Sequence, residues 1–480
     1  MKILLINMPF EGQSSDTSLR PYFPEEFYVF PPLGLISVAT GIDKRHNVKI
    51  LDVMAKKMTI AETIDYILDY KPDILGVSAI TRQLYPLYEI CRKVKGANPK
   101  IKIFAGGPHI NDYPMETMEW GTIDYALGGF AEYTFPQLVE AIDGGEKPES
   151  LQKIPTLYYK SDGKIISNPG HKKPLVLDEF PKPNRKLVDL SKYFSVLDKK
   201  KMTTMNSSRG CPFKCIYCNV QEKKFHYKSA KYLVDEMEEI LSLGVEEVFI
   251  HDDAFNVLRQ RVVDICNEIL KRKLKIKWCA RSRVTPFDDE MAKLMKKAGC
   301  VRLHVGVESL DQKILDYINK GITVEQINNF FRLCKKYKIG VMGYFMVGFP
   351  METKEYRASI LKDIERLDPE YFTLNILFPY PKTAYYNELI KNGTYKKDYW
   401  AEYSKKPTKD FEMPLPRSAE LEKELEELTD TSYRKYFFRP RRILREINHS
   451  ISSPGMLFRK TKLAAILLLQ TLKKSEADIK

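Results

Sequence analysis

The chain has 480 residues, 44 % of them apolar and 29 % charged, which leaves room for two or three domains with real cores and is the balance of a soluble globular protein. Its formal net charge of +14 suits nucleic acid, an anionic membrane surface or an acidic substrate, but the cations are spread along the chain and choose none of these. No apolar run reaches transmembrane length, and the opening MKILLINMPF lacks the basic region and cleavage site of a secretion signal. Eight cysteines without such a signal point to a reducing cytoplasm, where grouped cysteines mean metal or catalysis rather than disulfides.

From the amino terminus, strand and helix patterns alternate. KILLINM reads as a buried strand and PPLGLISVATGI as the start of a helix packed on it. NVKILDV, PDILGVSAI and KIKIFAGGPH read as further strands, with MTIAETIDYILDY and LYPLYEICRKVK as helices between them. DYALGGFAEYTFPQLVEAI adds a strand and a helix. Repeated strand–helix units with Val/Ile-rich strands predict an α/β fold, a parallel, doubly wound, Rossmann-like sheet over residues 1–145. Such a sheet binds ligands at the carboxyl ends of its strands. Those ends carry SAIT at 78–81 and GGPH at 106–109, so Ser78, Thr81, Gly106 and Gly107 are candidate binding residues with little bulk to hinder a large ligand.

Residues 146–200, with much Pro, Lys and Gly, read as a linker. Over 201–400 the alternation resumes, with VEEVFIHDDAF, KIKWCARSRV, VRLHVGVES, IGVMGYFMVGFP and EYFTLNILFPYP as strands between amphipathic helices. About six such units predict a partial (β/α)6 barrel with chemistry at the carboxyl ends of its strands. Residues 401–480 read as a small helical region: the charged helix AELEKELEELTDTSYRKYFF, then basic and apolar segments.

The densest chemical signal opens the second region. SSRGCPFKCIYCNV places Cys211, Cys215 and Cys218 within eight positions. Sulfur-rich sites hold zinc or iron–sulfur clusters. A structural zinc site needs four protein ligands, and the other cysteines, at 91, 266, 279, 300 and 334, stand singly. His226 is the alternative fourth ligand for zinc. Three cysteines on a tight loop suit a four-iron cluster better, with the fourth iron open to a substrate. Asp252 and Asp253, at a strand's carboxyl end, read as site residues. Cys300 reads as a small buried residue, and His251 and His304 as locally hydrogen-bonded rather than bound to metal.

C-x3-C-x2-C with Tyr217 before its last cysteine resembles the signature of radical S-adenosylmethionine (SAM) enzymes. HDDAF, 251–255, resembles the end of the family's second barrel strand, which implies Asp252 and Asp253 near the amino group of SAM. Arg283 in RSRV resembles the third-strand arginine, and GVES at 306–309 the motif near the SAM ribose, implying Glu308 and Ser309. NKGIT and VGFPMET resemble the next helix start and the fifth strand, implying Gly348 and Pro350. FPYPKTAYY resembles a P-x-P-G-T turn with Lys382 in place of glycine. PPLGL, VSAIT, GGPH and GGFAEYTF resemble markers of the cobalamin-binding subfamily, although GGFAE stands where GEGE is usual and only Glu132 keeps the acidic pattern. No D-x-H-x-x-G occurs, so the resemblance implies cobalamin without a protein histidine on cobalt.

The resemblance covers residues 1 to about 400 and implies three cofactors: a [4Fe-4S] cluster, SAM and cobalamin. The implied reaction cleaves SAM to a 5′-deoxyadenosyl radical, removes hydrogen from an unactivated carbon and delivers a methyl group carried by cobalamin. Methylation of a lipid or other hydrophobic small molecule is the leading expectation. Oxidative cyclisation or carbon–carbon coupling is the alternative within the family. A non-catalytic cobalamin sensor is a remote one, since it leaves the cysteine loop without a purpose. The implied partners are a small-molecule substrate and an electron donor such as flavodoxin or ferredoxin; no nucleic-acid module is recognisable. In the tail, RKYFFRPRRILREI and MLFRKTKLAAILLL set cations beside aromatic and apolar residues. They predict either a cap over the barrel or peripheral contact with the inner membrane face.

Overall fold

The computed structural model describes residues 1–9, 30–42, 44–170, 175–195, 200–440 and 442–444. The first region forms a seven-stranded sheet. Strands β1 (Lys2–Asn7), β2 (Asn47–Asp52), β3 (Ile74–Ser78), β4 (Lys102–Gly106) and β5 (Tyr125–Leu127) run parallel. Two antiparallel strands, β6 (Leu157–Ser161) and β7 (Lys164–Ser167), complete the order β2-β1-β3-β4-β5-β6-β7. The chain reverses direction across the sheet between β1 and β3, and such a switch point opens a ligand crevice at the carboxyl ends. The runs of Val and Ile follow from burial on both faces: Leu4 and Ile6 pack with Ile64, Ile67 and Leu87, while Ile3 and Leu5 pack with Leu35, Val38 and Phe135. The helix Ile60–Tyr70 starts at a reciprocal cap between Thr59 and Glu62.

The segment read as a linker carries structure of its own. β6 and β7 are joined by Asp162 (φ 48°) and Gly163 (φ 74°), both left-handed, as a two-residue hairpin turn requires. Asp-Gly between two short apolar runs is a hairpin signature that bulk composition hides. Further on, Arg185 is buried and donates to Glu236 at 2.7 Å, which also takes Lys228 at 2.8 Å. The Tyr193 hydroxyl donates to Asp52 at 2.7 Å, so this segment is fastened to both regions.

In the second region, β8 (Met202–Met205) is followed by the short antiparallel pair β9 (Ser208–Arg209) and β10 (His226–Tyr227), which brackets the cysteine loop. With β11 (Glu247–Ile250), β12 (Lys277–Ser282), β13 (Cys300–Glu308), β14 (Gly340–Val347) and β15 (Tyr371–Ile376), β8 forms a six-stranded sheet, parallel throughout, in the order β15-β14-β13-β12-β11-β8. Alternate residues (Val248, Ile250, Trp278, Ala280, Leu303, Val305) belong to the main core, which the surrounding helices share. A separate small cluster joins Met202, Phe249 and Cys279 with Phe30 and Val301. The helix Ala419–Phe437 docks on β15: Leu374 N donates to the Tyr433 hydroxyl at 2.9 Å, and the Phe372 and Phe437 rings stack at 5.7 Å. The start of the cation–aromatic stretch therefore faces the barrel. The apolar MLFRKTKLAAILLL lies outside the described residues. Among the described residues, no helix is long and apolar enough to cross a membrane.

Candidate functional site

The cysteine loop leaves the carboxyl end of β8 and is held from beneath. Asp252 accepts from Ser207 N (2.7 Å), Ser208 N (3.0 Å), Ser208 Oγ (2.6 Å) and Ser207 Oγ. Expected as a SAM contact, Asp252 is buried with both oxygens committed to the turn that launches the loop. Asp253 is exposed and accepts from Gly210 N at 3.1 Å, beside the first cysteine. Within the loop, Cys211 N donates to Glu222 O (3.0 Å) and Cys218 N to Cys215 O (3.1 Å). Ile216 is fixed on both sides, its N–H to Ile318 O (3.1 Å) and its carbonyl to Tyr385 N (2.9 Å).

Cys211, Cys215 and Cys218 are half-buried, whereas the other five cysteines, Cys300 included, are buried. Among the described residues, no three His, Cys, Asp or Glu side chains converge on one ion. His226 turns Nδ1 to Leu175 O (3.2 Å) and packs against the Phe130 ring, so the zinc alternative is not assembled. The donors fit a cluster in which each thiolate meets its own iron. Burial pushes the Cys218 thiol up to about 11 and that of Cys211 above its ordinary value, so cluster binding must displace protons.

Beside the loop, the Arg283 guanidinium lies 3.5 Å over the Phe213 ring, with Nη1 4.0 Å from Cys215 Sγ and Nη2 donating to Lys320 O at 2.5 Å. Asn256 clamps the Arg283 backbone through Oδ1 (2.7 Å) and Nδ2 (3.0 Å). Glu308, left-handed at φ 65°, ends β13 and accepts from Lys320 Nζ (2.7 Å) and Tyr217 OH (2.9 Å). Burial, reinforced by the Glu308 charge, pushes the Tyr217 phenol well above its ordinary value and keeps it a donor. Tyr217, Arg283 and Glu308 thus meet at the loop. Ser309 is buried, its Oγ 2.6 Å from the Tyr356 hydroxyl. Gly348 N donates to Glu352 Oε2 at 2.7 Å, and exposed Pro350 follows in the same turn. Sequence reading passed over Phe213 and Lys320, although Lys320 lies inside the quoted NKGIT.

Lys382 has φ 57°, so it adopts the left-handed conformation that glycine takes most readily. The helix Ala384–Lys391 that follows supplies the Tyr385 N–H to the cysteine loop. Lys382 Nζ stands 4.2 Å from the Tyr113 ring centroid.

At the carboxyl ends of β3 and β4 the absence of a side chain lets the two strand ends pack closely. Gly107 has φ 95°, and a Cβ there would fall 2.7 Å from Ser78 Oγ and 2.8 Å from Ala79 O. Thr81 is instead a support, its Oγ1 3.2 Å from His109 Nδ1, while His109 Nε2 lies 3.2 Å from Thr117 Oγ1. Burial lowers His109 to about 3, so it is neutral with both nitrogens engaged. With both His109 nitrogens engaged, the residues at these strand ends fit cobalamin bound without a protein histidine. In the departing GGFAE segment, Gly129 N donates to Asn111 Oδ1 (2.7 Å) and Glu132 pairs with Arg209 at 2.5 Å. Asp112, five residues beyond Gly107, accepts from Asn219 Nδ2 at 2.7 Å and from Gln221 Nε2. The helix that follows β4 and the cysteine loop are therefore in direct contact.

Two domain families match this chain: the radical SAM superfamily over residues 205–364 and the B12 binding domain over residues 27–139. An uncharacterized methyltransferase of Pyrococcus horikoshii is 32 % identical over 424 residues, 87 % of this chain and 90 % of that protein. The anaerobic magnesium-protoporphyrin IX monomethyl ester cyclase of Rubrivivax gelatinosus is 28 % identical over 350 residues, 72 % of this chain and 63 % of the cyclase. The fold matches that of the radical SAM methyltransferase TsrM of Kitasatospora setae, solved with cobalamin and a [4Fe-4S] cluster, at a TM-score of 0.64 and 19 % identity over 82 % of this chain and 75 % of that one. With both domain families matched along one chain and a relative 32 % identical over most of its length, the chain belongs to the cobalamin-binding radical SAM enzymes.

Proposed function

We propose that this enzyme transfers a methyl group to an unactivated carbon of a lipid or other hydrophobic small molecule. The observation that carries the reading is the direct contact, through Asp112, between the cysteine loop and the helix that follows β4. When bound, the cluster and SAM supply hydrogen abstraction from carbon, and cobalamin supplies the methyl group. The protein's part is to orient and to exclude water. Arg283 braces the loop beside Cys215, and the Lys320–Glu308–Tyr217 group fixes the base of the SAM side. Asp253, Gly348 and Pro350 are read as contacts of SAM. An electron donor such as flavodoxin or ferredoxin reduces the cluster, and the basic, aromatic and apolar stretch 434–472 brings the site to the inner membrane face.

The test is anaerobic turnover with methyl-deuterated SAM and extracted lipids. A product carrying the labelled methyl supports the reading; 5′-deoxyadenosine formed with an unlabelled, dehydrogenated or ring-closed product favours cyclisation, which similarity to the cyclase keeps as the second reading. Flotation with anionic vesicles at low salt tests the membrane contact, and failure to float removes it.

A further inference from the structure

We propose that Asp112 is a positioning residue which fixes the cobalamin-binding unit against the cluster loop, so that one carboxylate sets the separation of the two cofactor sites. This rests on the reading that the corrin lies at the ends of β3 and β4 and the cluster on the three cysteines. Asp112 ends the short helix Pro108–Asp112, which begins directly after Gly107. That helix is bolted to the strand ends: His109 N donates to Ala79 O (3.2 Å) and Ile110 N to Gly107 O (3.1 Å). The Asp112 carboxylate reaches across to Asn219 and Gln221, one and three residues after Cys218. Its neighbours hold other segments, Asn111 the backbone of Gly129 (2.7 Å) and the Tyr113 hydroxyl Asp398 (3.1 Å). Three successive residues thus reach three separate segments, and the middle one reaches the cluster loop.

Two amide NH2 groups face one side chain there, and a carboxylate offers an acceptor to each. Asn in its place brings one oxygen and one NH2, and the NH2 confronts a donor. Residues 219–221 and Gly107 are linked here through the helix Pro108–Asp112.

Hydrogen exchange on the full-length, cofactor-free protein gives the first test. Asp112→Asn is expected to speed exchange in residues 211–224 roughly tenfold, the effect of losing one charge-assisted hydrogen bond, and to leave β3 and β4 unchanged. Asn219→Ala is expected to do the same, and the double variant to add nothing further. The swap Asp112→Asn with Asn219→Asp restores a carboxylate–amide pair and is expected to restore slow exchange. Unchanged exchange in both single variants, additive effects, or a swap that fails to rescue overturns the proposal. If Asp112→Asn does not fold, Asn219→Ala, at a half-exposed loop position, decides it in the same way.

A second readout is the dipolar distance between the reduced cluster and cob(II)alamin in the loaded protein. A narrow distribution in the natural protein and in the swap, broadened in Asp112→Asn, is the expected result. Identical distributions overturn the proposal. Neither measurement requires turnover, so a failed methylation assay cannot be confused with a failed positioning role.

Discussion

The two parallel sheets finish in opposite ways at their carboxyl edges. The first ends in Ser78, Gly106 and Gly107, and an added Cβ on Gly107 would collide with Ser78 and Ala79. The second ends in Asp252, Asp253, Arg283 and Glu308, charged groups tied down by hydrogen bonds. On the proposed reading, a broad, flat ligand meets the edge with few side chains, and a small polar ligand and a metal cluster meet the edge that supplies them. The first edge should therefore be damaged by addition and the second by subtraction.

Subtraction at the thiols has the largest expected effect. Alanine at Cys211, Cys215 or Cys218 removes the cluster and SAM cleavage altogether, while Cys91→Ala or Cys334→Ala retains both by iron and sulfide analysis. Retained iron in any of the first three would contradict the ligand set. Next comes Lys320→Met, which strands Glu308 in a buried site and costs about 3–5 kcal/mol in denaturant unfolding. Addition at the first edge is tested by Gly107→Ala, where left-handed strain and overlap cost about 1–3 kcal/mol and weaken cobalamin binding in an absorbance titration. Gly106→Ala, which meets only the Phe104 ring at 3.3 Å and Leu127 O at 3.9 Å, should do less, and equal losses would show that steric crowding does not shape this edge.

Acid probes the same edge through His109. Its folded value of about 3 lies below the ordinary 6.5, so the unfolded chain binds a proton that the fold excludes. The corresponding stability is complete above pH 6.5 and drains away as the pH falls toward 3. At pH 5 the loss is about 2 kcal/mol relative to pH 7, and His109→Gln should flatten that part of the unfolding curve. Smallest is Lys382→Gly, which gains backbone ease and loses the contact with Tyr113, a net change within about 1 kcal/mol by thermal unfolding.

How much of this was legible in the sequence depended on distance along the chain. The strands were readable because runs such as KILLIN and ILGVS are buried on both faces and must be apolar throughout. The thiol loop was readable because its three ligands lie within eight positions. The task of Asp252 was not: four donors from Ser207 and Ser208, about 45 residues away, decide that it braces rather than binds. The Thr81 contact was hidden for a similar reason, since its partner His109 is 28 residues on and buried. The join between the two sites was hidden most deeply, for Asp112 and Asn219 are 107 residues apart and neither type announces a partner. Lys382 shows the limit of motif reading, because its left-handed backbone is set by the turn around it and not by its own preference.

The Asp162–Gly163 turn has a practical consequence. Both residues are exposed, a Cβ at Gly163 would meet nothing within 4 Å, and the turn lies at the β7 edge of the sheet, far in strand order from the β1–β3 crevice. Exposed hairpin tips of this kind accept inserted sequence and new chain ends. A fluorophore, an affinity tag or a permuted terminus placed there would make the enzyme traceable during oxygen-free handling, with the cysteines and the carboxyl-terminal region left in their natural form.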